Sequence, residues 1–231
     1  MWEGQIDGLS DEYRVIAPDL RGFGRSDVVD TASMEEFAGD LVALLDTLII
    51  NQPVALCGLS MGGYIAWQFW RRFGNRLDRL ILCDTRAAAD TDEAAAARRQ
   101  NADEVLARGA DALADSMIPK LFASQTLQNR TELVAATRKV MTGTERQGIA
   151  AALRGMADRS DMTPQLADIQ VPALVICGQD DAISTPAEMR SIAAVIPRAR
   201  YVEIANAGHM APLEQPGPVN DAIRAFLRET A

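Results

Sequence analysis

Pro53-Val54-Ala55-Leu56-Cys57 is a continuous apolar run, and Gly58-Leu59-Ser60-Met61-Gly62-Gly63 follows it without a break. The run is short enough for a strand buried on both faces of a parallel sheet. Met61 to Phe73 then reads as a helix, ended by Gly74-Asn75. A Gly-x-Ser-x-Gly placed between such a strand and such a helix reads as a nucleophile elbow. The reversal from strand to helix is tight, and the serine is held in a strained backbone conformation. Gly58 and Gly62 are the residues expected to leave room for it. The serine oxygen then stands at a helix N-terminus, where free N–H groups favour a developing oxyanion, with the Met61 N–H as the expected donor. The plainer alternative is a glycine-rich turn with an N-cap serine, and the flanking strand and helix weigh against it.

Outward from the elbow, strands and helices alternate. Tyr13 to Ala17 is a short run ended by Pro18 and reads as a strand. Ser33 to Ile49 is a helix, with Ser33 and Glu36 as a capping box and Phe37, Leu41, Leu44, Leu45 and Leu48 on one face. Strands are expected at Leu80 to Cys83, Ala173 to Cys177 and Arg200 to Ile204, and helices at Ala187 to Val195 and Val219 to Glu229. Between Arg86 and Thr163 the texture is helical throughout, with about four segments: Thr91 to Arg108, Ala110 to Phe122, Thr131 to Met141, and Glu145 to Arg159. The expected architecture is therefore α/β, a mostly parallel sheet with helices on both faces. Residues 1–85 and 164–231 form its core, and residues 86–163 form an inserted helical cap.

His209 is the chain's one histidine, in Asn206-Ala207-Gly208-His209-Met210 just after the last strand. A serine mechanism with a histidine base has no other residue to use. The acid that orients the imidazole and stabilises its charged form should follow the strand Ala173 to Cys177. Gly178-Gln179-Asp180-Asp181 offers two candidates, of which Asp181 is favoured over Asp180; Asp84, at the end of a neighbouring strand, is a third. The order Ser60, Asp181, His209 is the one found when this elbow is used for catalysis.

Composition narrows the partners. A net charge of −9 argues against nucleic acid and anionic membrane, which need a basic face. No apolar stretch is long enough to span a bilayer. Cys57, Cys83 and Cys177 lie in apolar runs, fit neither a redox pair nor a zinc site, and suit a reducing cytosol; the start shows no signal peptide. A cytoplasmic location is expected. No metal or organic cofactor is implied, and the expected partner is a small-molecule ester or lactone. Within the cap, Met117, Ile118, Leu121, Phe122, Met141 and Met156 are candidates to line an apolar pocket, though core packing explains them at least equally. Arg86 is a candidate to hold a substrate carboxylate, against the commoner case of a solvated arginine.

These residues resemble the α/β-hydrolase superfamily over almost the whole chain. Within it they are similar to the group of 3-oxoadipate enol-lactonases, small carboxylesterases and cofactor-free haloperoxidases. Asp19-Leu20-Arg21-Gly22-Phe23-Gly24-Arg25-Ser26 resembles the loop after the family's fourth strand. Leu56 to Gly63 resembles the elbow, and Val171 to Gly178 the strand leading to the acid. In that pattern the acid lies three residues after the glycine, which selects Asp181. Gly208-His209 with Glu214-Gln215-Pro216 resembles the base loop. The resemblance implies acyl transfer through an acyl-enzyme. It leaves open perhydrolysis, C–C bond hydrolysis with the same triad, and a ligand-binding protein of low turnover.

One departure has a physical consequence. The family normally has further strands before Tyr13, and a His-Gly loop that supplies a second oxyanion N–H. Without the strand that should lie between Tyr13–Ala17 and Pro53–Cys57, a gap of about 10 Å is expected, with unpaired backbone groups on both sides. Losing one oxyanion donor costs about 10² to 10³ in turnover. The 231-residue chain is therefore expected to be poorly stable and weakly active; turnover typical of the family from this purified chain would refute that.

Overall fold

A computed structural model describes residues 1–229. Four strands form one sheet: β1 (Val54–Leu59), β2 (Leu77–Cys83), β3 (Ala173–Gly178) and β4 (Ala199–Ile204), in that spatial order and all parallel. Helices α1 (Glu3–Leu9) and α2 (Met34–Thr47) precede β1, and α3 (Met61–Phe73) joins β1 to β2. Five helices stand between β2 and β3: α4 (Asp92–Arg108), α5 (Asp111–Leu121), α6 (Ser124–Asn129), α7 (Thr131–Gly143) and α8 (Arg146–Ala157). Next, α9 (Pro186–Val195) crosses from β3 to β4, and α10 (Ala211–Glu214) and α11 (Pro216–Glu229) follow β4.

The strand sequences explain the layers. Every residue of β3 is buried, as expected of a central strand covered on both faces. Side chains alternate between those faces. Leu80, Leu82, Ala173 and Val175 pack with Phe37, Trp67, Phe69 and Met189 from α2, α3 and α9. Ile81, Cys83, Leu174 and Ile176 pack with Val219, Ile223 and Phe226 of α11. The α2 capping box forms as read: Ser33 Oγ accepts the Glu36 N–H, and the Glu36 carboxylate accepts the Ser33 N–H.

Two expectations are corrected. Residues 13–17 are not a strand, because the sheet ends at β1 and no neighbouring strand offers them a ladder among the described residues. Inside the helical insertion a fifth helix, α6, occupies what the periodicity left as a connection. Six residues are too few to show a 3.6-residue pattern.

The insertion is fastened to the core at two points before it reaches the site. A Cβ on Gly148 of α8 would lie 1.9 Å from the Gly22 carbonyl oxygen, so backbone packs directly on backbone there. The second point rests on a pair inside the insertion, beyond the other end of α8: Arg159 Nη1 lies 2.7 Å from Asp90 Oδ1, with both side chains almost fully buried. Arg98 Nε donates to the other Asp90 oxygen at 2.5 Å, and the Arg159 guanidinium stacks 4.2 Å above the Tyr64 ring of α3. Burial pushes the Asp90 carboxyl up, but Arg98 and Arg159 outweigh it and hold it below the usual carboxylate range. Removing one partner of a buried pair strands the other charge. Asp90→Ala should lower unfolding free energy by about 3–5 kcal/mol in a urea titration; a loss under about 1 kcal/mol would class the pair with weak surface bridges.

Candidate active site

The register places the site. Leu59 lies opposite Cys83, Cys83 opposite Ile176, and Gly178 opposite Ile204. Because all strands run the same way, Ser60, Asp84, Asp181 and the loop 205–210 leave the sheet from one edge.

Ser60 sits between β1 and α3 with φ 51° and ψ −111°, a left-handed conformation rare for a residue with a Cβ. It is held there by its neighbours. The Ser60 N–H donates to the Cys83 carbonyl at 3.0 Å, and the Thr85 hydroxyl donates to the Ser60 carbonyl at 2.7 Å. A Cβ on Gly58 would lie 2.2 Å from the Gly62 carbonyl oxygen, so glycine is required at 58. Gly62 is different: a Cβ there meets nothing within 4 Å, and the second steric requirement falls instead on Gly63, whose Cβ would lie 2.2 Å from Thr85 Oγ1. The motif's spacing could not show this, because Thr85 comes from the segment after the next strand. The Met61 N–H is the first of α3 and has no acceptor within its helix.

His209 is buried, and its Nδ1 lies 2.9 Å from Asp181 Oδ2. Asp181 Oδ1 accepts the N–H groups of Ile183 (2.7 Å) and Ser184 (3.0 Å), so the carboxylate is fixed by backbone on one side and imidazole on the other. Asp180 points to solvent. Asp84 is fully buried and has its own strained φ of 46°. One of its oxygens accepts the Gly178 N–H at 2.7 Å, and the other has no partner. Its carboxyl, the Asp181 carboxylate and the Cys177 sulfur lie within 4.8 Å of one another. Burial, reinforced by the Asp181 and Glu214 charges, raises the Asp84 carboxyl well above the carboxylate range despite the Gly178 N–H. Burial likewise raises the Cys177 thiol.

The apolar candidates divide. Met117, Ile118, Leu121, Phe122 and Met141 share one cluster with Leu59 of β1 and Met210 beside the imidazole. Met156 packs elsewhere, against the α4–α8 cluster. Arg86 donates to the Ile183 carbonyl at 2.6 Å and pairs with Glu188 at 3.2 Å, so a substrate carboxylate would have to compete with Glu188. Glu214 was visible in sequence only as part of a motif. In the structure it is buried, and its carboxylate accepts the Gly208 N–H next to His209.

Comparison with known proteins places the chain among known folds. The alpha/beta hydrolase fold family matches residues 1–216. A 3-oxoadipate enol-lactonase of Acinetobacter baylyi is 30% identical over 229 residues, covering 99% of this chain and 84% of its own length. Among solved structures, a thermophilic esterase from Thermogutta terrifontis, with malate bound, superposes with a TM-score of 0.98 at 45% identity, covering 99% of this chain and 85% of that one. The enol-lactonase of Burkholderia xenovorans gives 0.90 at 33%, covering 98% and 85%.

The raised Asp84 carboxyl has a measurable signature. Its folded pKa is raised, so its contribution to stability is complete below the ordinary aspartate pKa of about 3.9 and falls as pH rises through the folded value. Asn has no such dependence. The stability of Asp84→Asn relative to the parent should therefore rise from pH 4 to pH 8, read as the difference in urea midpoints. A flat or falling difference would mean that Asp84 is ionised.

Proposed function

The chain belongs to the α/β-hydrolase fold family, and from that premise we propose that it hydrolyses small carboxylic esters through a Ser60 acyl-enzyme. The observation that carries this reading is the buried His209–Asp181 pair, set at the sheet edge where the strained elbow presents Ser60. Ser60 Oγ attacks the ester carbonyl while His209 Nε2 takes the hydroxyl proton. Asp181 holds Nδ1–H and stabilises the imidazolium. The Met61 N–H, at the start of α3, donates to the oxyanion. His209 then returns the proton to the departing alcohol. A water, deprotonated by the same imidazole, releases the acid and restores the serine.

The five inserted helices serve as the cap, and Met117 and Phe122 line its apolar side of the substrate site. Esters are favoured over carboxylate-bearing lactones because Arg86 is already paired with Glu188. The 45% identical relative is an esterase, whereas the enol-lactonases are similar at 30% and 33%. Burial and neighbouring groups keep Cys83 and Cys177 as thiols, and a reducing cytoplasm suits them. No helix among the described residues is long and apolar enough to cross a membrane.

The test is steady-state turnover of p-nitrophenyl acetate and butyrate. Ser60→Ala should reduce kcat/KM by about 10⁴-fold or more with the fold intact by circular dichroism. Retention of most of the turnover by that variant would exclude Ser60 as nucleophile. Binding of esters without turnover by the parent would instead identify a ligand-binding member of the family.

A further inference from the structure

We infer that Glu214 is a positioning residue that ties the base loop to the helical insertion, so that the orientation of His209 depends on where the insertion sits. Its consequence for turnover rests on the reading of His209 as the base; the structural link does not.

Glu214 belongs to α10, five residues after His209, and is 2% exposed. Its two carboxylate oxygens are divided between two parts of the protein. Oε1 accepts the Gly208 N–H at 2.7 Å, on the base loop. Oε2 accepts the Ala123 N–H at 2.9 Å, in the connection between α5 and α6. Charge-assisted bonds of this kind are about twice as strong as neutral ones. Around them, further contacts join the same two segments. The Met210 N–H donates to the Leu121 carbonyl at 3.0 Å. Arg130, at the end of α6, donates to the Glu214 carbonyl at 2.6 Å. A Cβ on Gly208 would lie 2.6 Å from the Ala123 nitrogen, so the two backbones touch.

The residues on either side of His209 are thus held by residues 121–123, while the imidazole itself is held by Asp181. The β4–α10 connection is anchored on the sheet side by Asp181 and by the Asp180 N–H on the Ala207 carbonyl at 2.8 Å, and on the insertion side by the contacts just described. With the Glu214 bridge broken, Gly208 loses its tie to residue 123, and a displacement of about 1 Å at a reacting group can cost about 100-fold in rate.

Ala123→Pro tests the link with Glu214 left in place. Ala123 has φ −59° and Phe122 is extended at φ −120°, ψ 147°, so the backbone already suits proline at 123 and the residue before it. The change replaces the N–H that the Glu214 carboxylate accepts from the insertion with a ring carbon, at the point where Gly208 packs. Glu214→Gln is the companion variant: it keeps the shape but faces one of the two N–H donors with an NH₂ group. The readout besides activity is the imidazole spectrum. His209 is the single histidine, so isotope-labelled histidine gives its ring resonances without assignment.

Both variants should broaden or lose the hydrogen-bonded Nδ1–H signal. Both should also speed deuterium exchange at the Gly208 amide, in a chain that is still folded. On p-nitrophenyl esters kcat should fall about 10- to 100-fold, with KM changed by less than about threefold. An unchanged imidazole spectrum and unchanged Gly208 protection in both folded variants would overturn the inference. If the spectrum responds but Ser60→Ala leaves turnover intact, the link stands and the catalytic reading fails.

Discussion

A parallel sheet has one edge where every strand ends, and this protein's chemistry depends on that constraint. In the ladder, Leu59 is paired with Cys83, Cys83 with Ile176, and Gly178 with Ile204. Each crossover helix returns the chain to the far edge, so every strand delivers its last residue to the same side. Ser60, Asp84, Asp181 and His209 are widely spaced in sequence yet leave the sheet at neighbouring ends. The sheet core, with β3 wholly buried, is what makes that edge rigid.

Three buried carboxyl groups, Asp84, Asp181 and Glu214, lie in the segments that follow the strands, and each is accommodated differently. Asp181 has two backbone N–H donors and the His209 ring. Glu214 has two backbone N–H donors from different segments. Asp84 has one N–H donor and an orphan oxygen, and the fields of the other two add to the effect of burial. Its carboxyl is accordingly raised well above its ordinary value, because burial of a charge is tolerated only as far as hydrogen bonds replace water.

The helical insertion is joined to the sheet domain by three kinds of contact. Gly148 against Gly22 is direct backbone packing. Asp90 with Arg98 and Arg159 is a buried ion network inside the insertion, which meets the core where Arg159 stacks on the Tyr64 ring. Residues 121–123 against the base loop are hydrogen-bonded through Glu214 and Met210. The first two fix the insertion to the loop that holds Gly22 and to α3, and the third connects it to the loop that carries the imidazole.

The sequence by itself located most of the elements, the strand–Ser60–helix turn and the single histidine after the last strand. The apolar run before Ser60, the capping box at Ser33 and the single histidine are local signals, because each is written within a few consecutive residues. They located β1 to β4 and most helices to within a few residues. Only the tertiary structure decided what depends on residues far apart. It assigned the imidazole to Asp181 over Asp180 and Asp84, moved a glycine requirement from Gly62 to Gly63 because Thr85 stands behind it, and paired Arg86 with Glu188. It also denied residues 13–17 a strand. A β-conformation needs a partner across the ladder, and whether one is present is a property of the sheet, which no five-residue run contains.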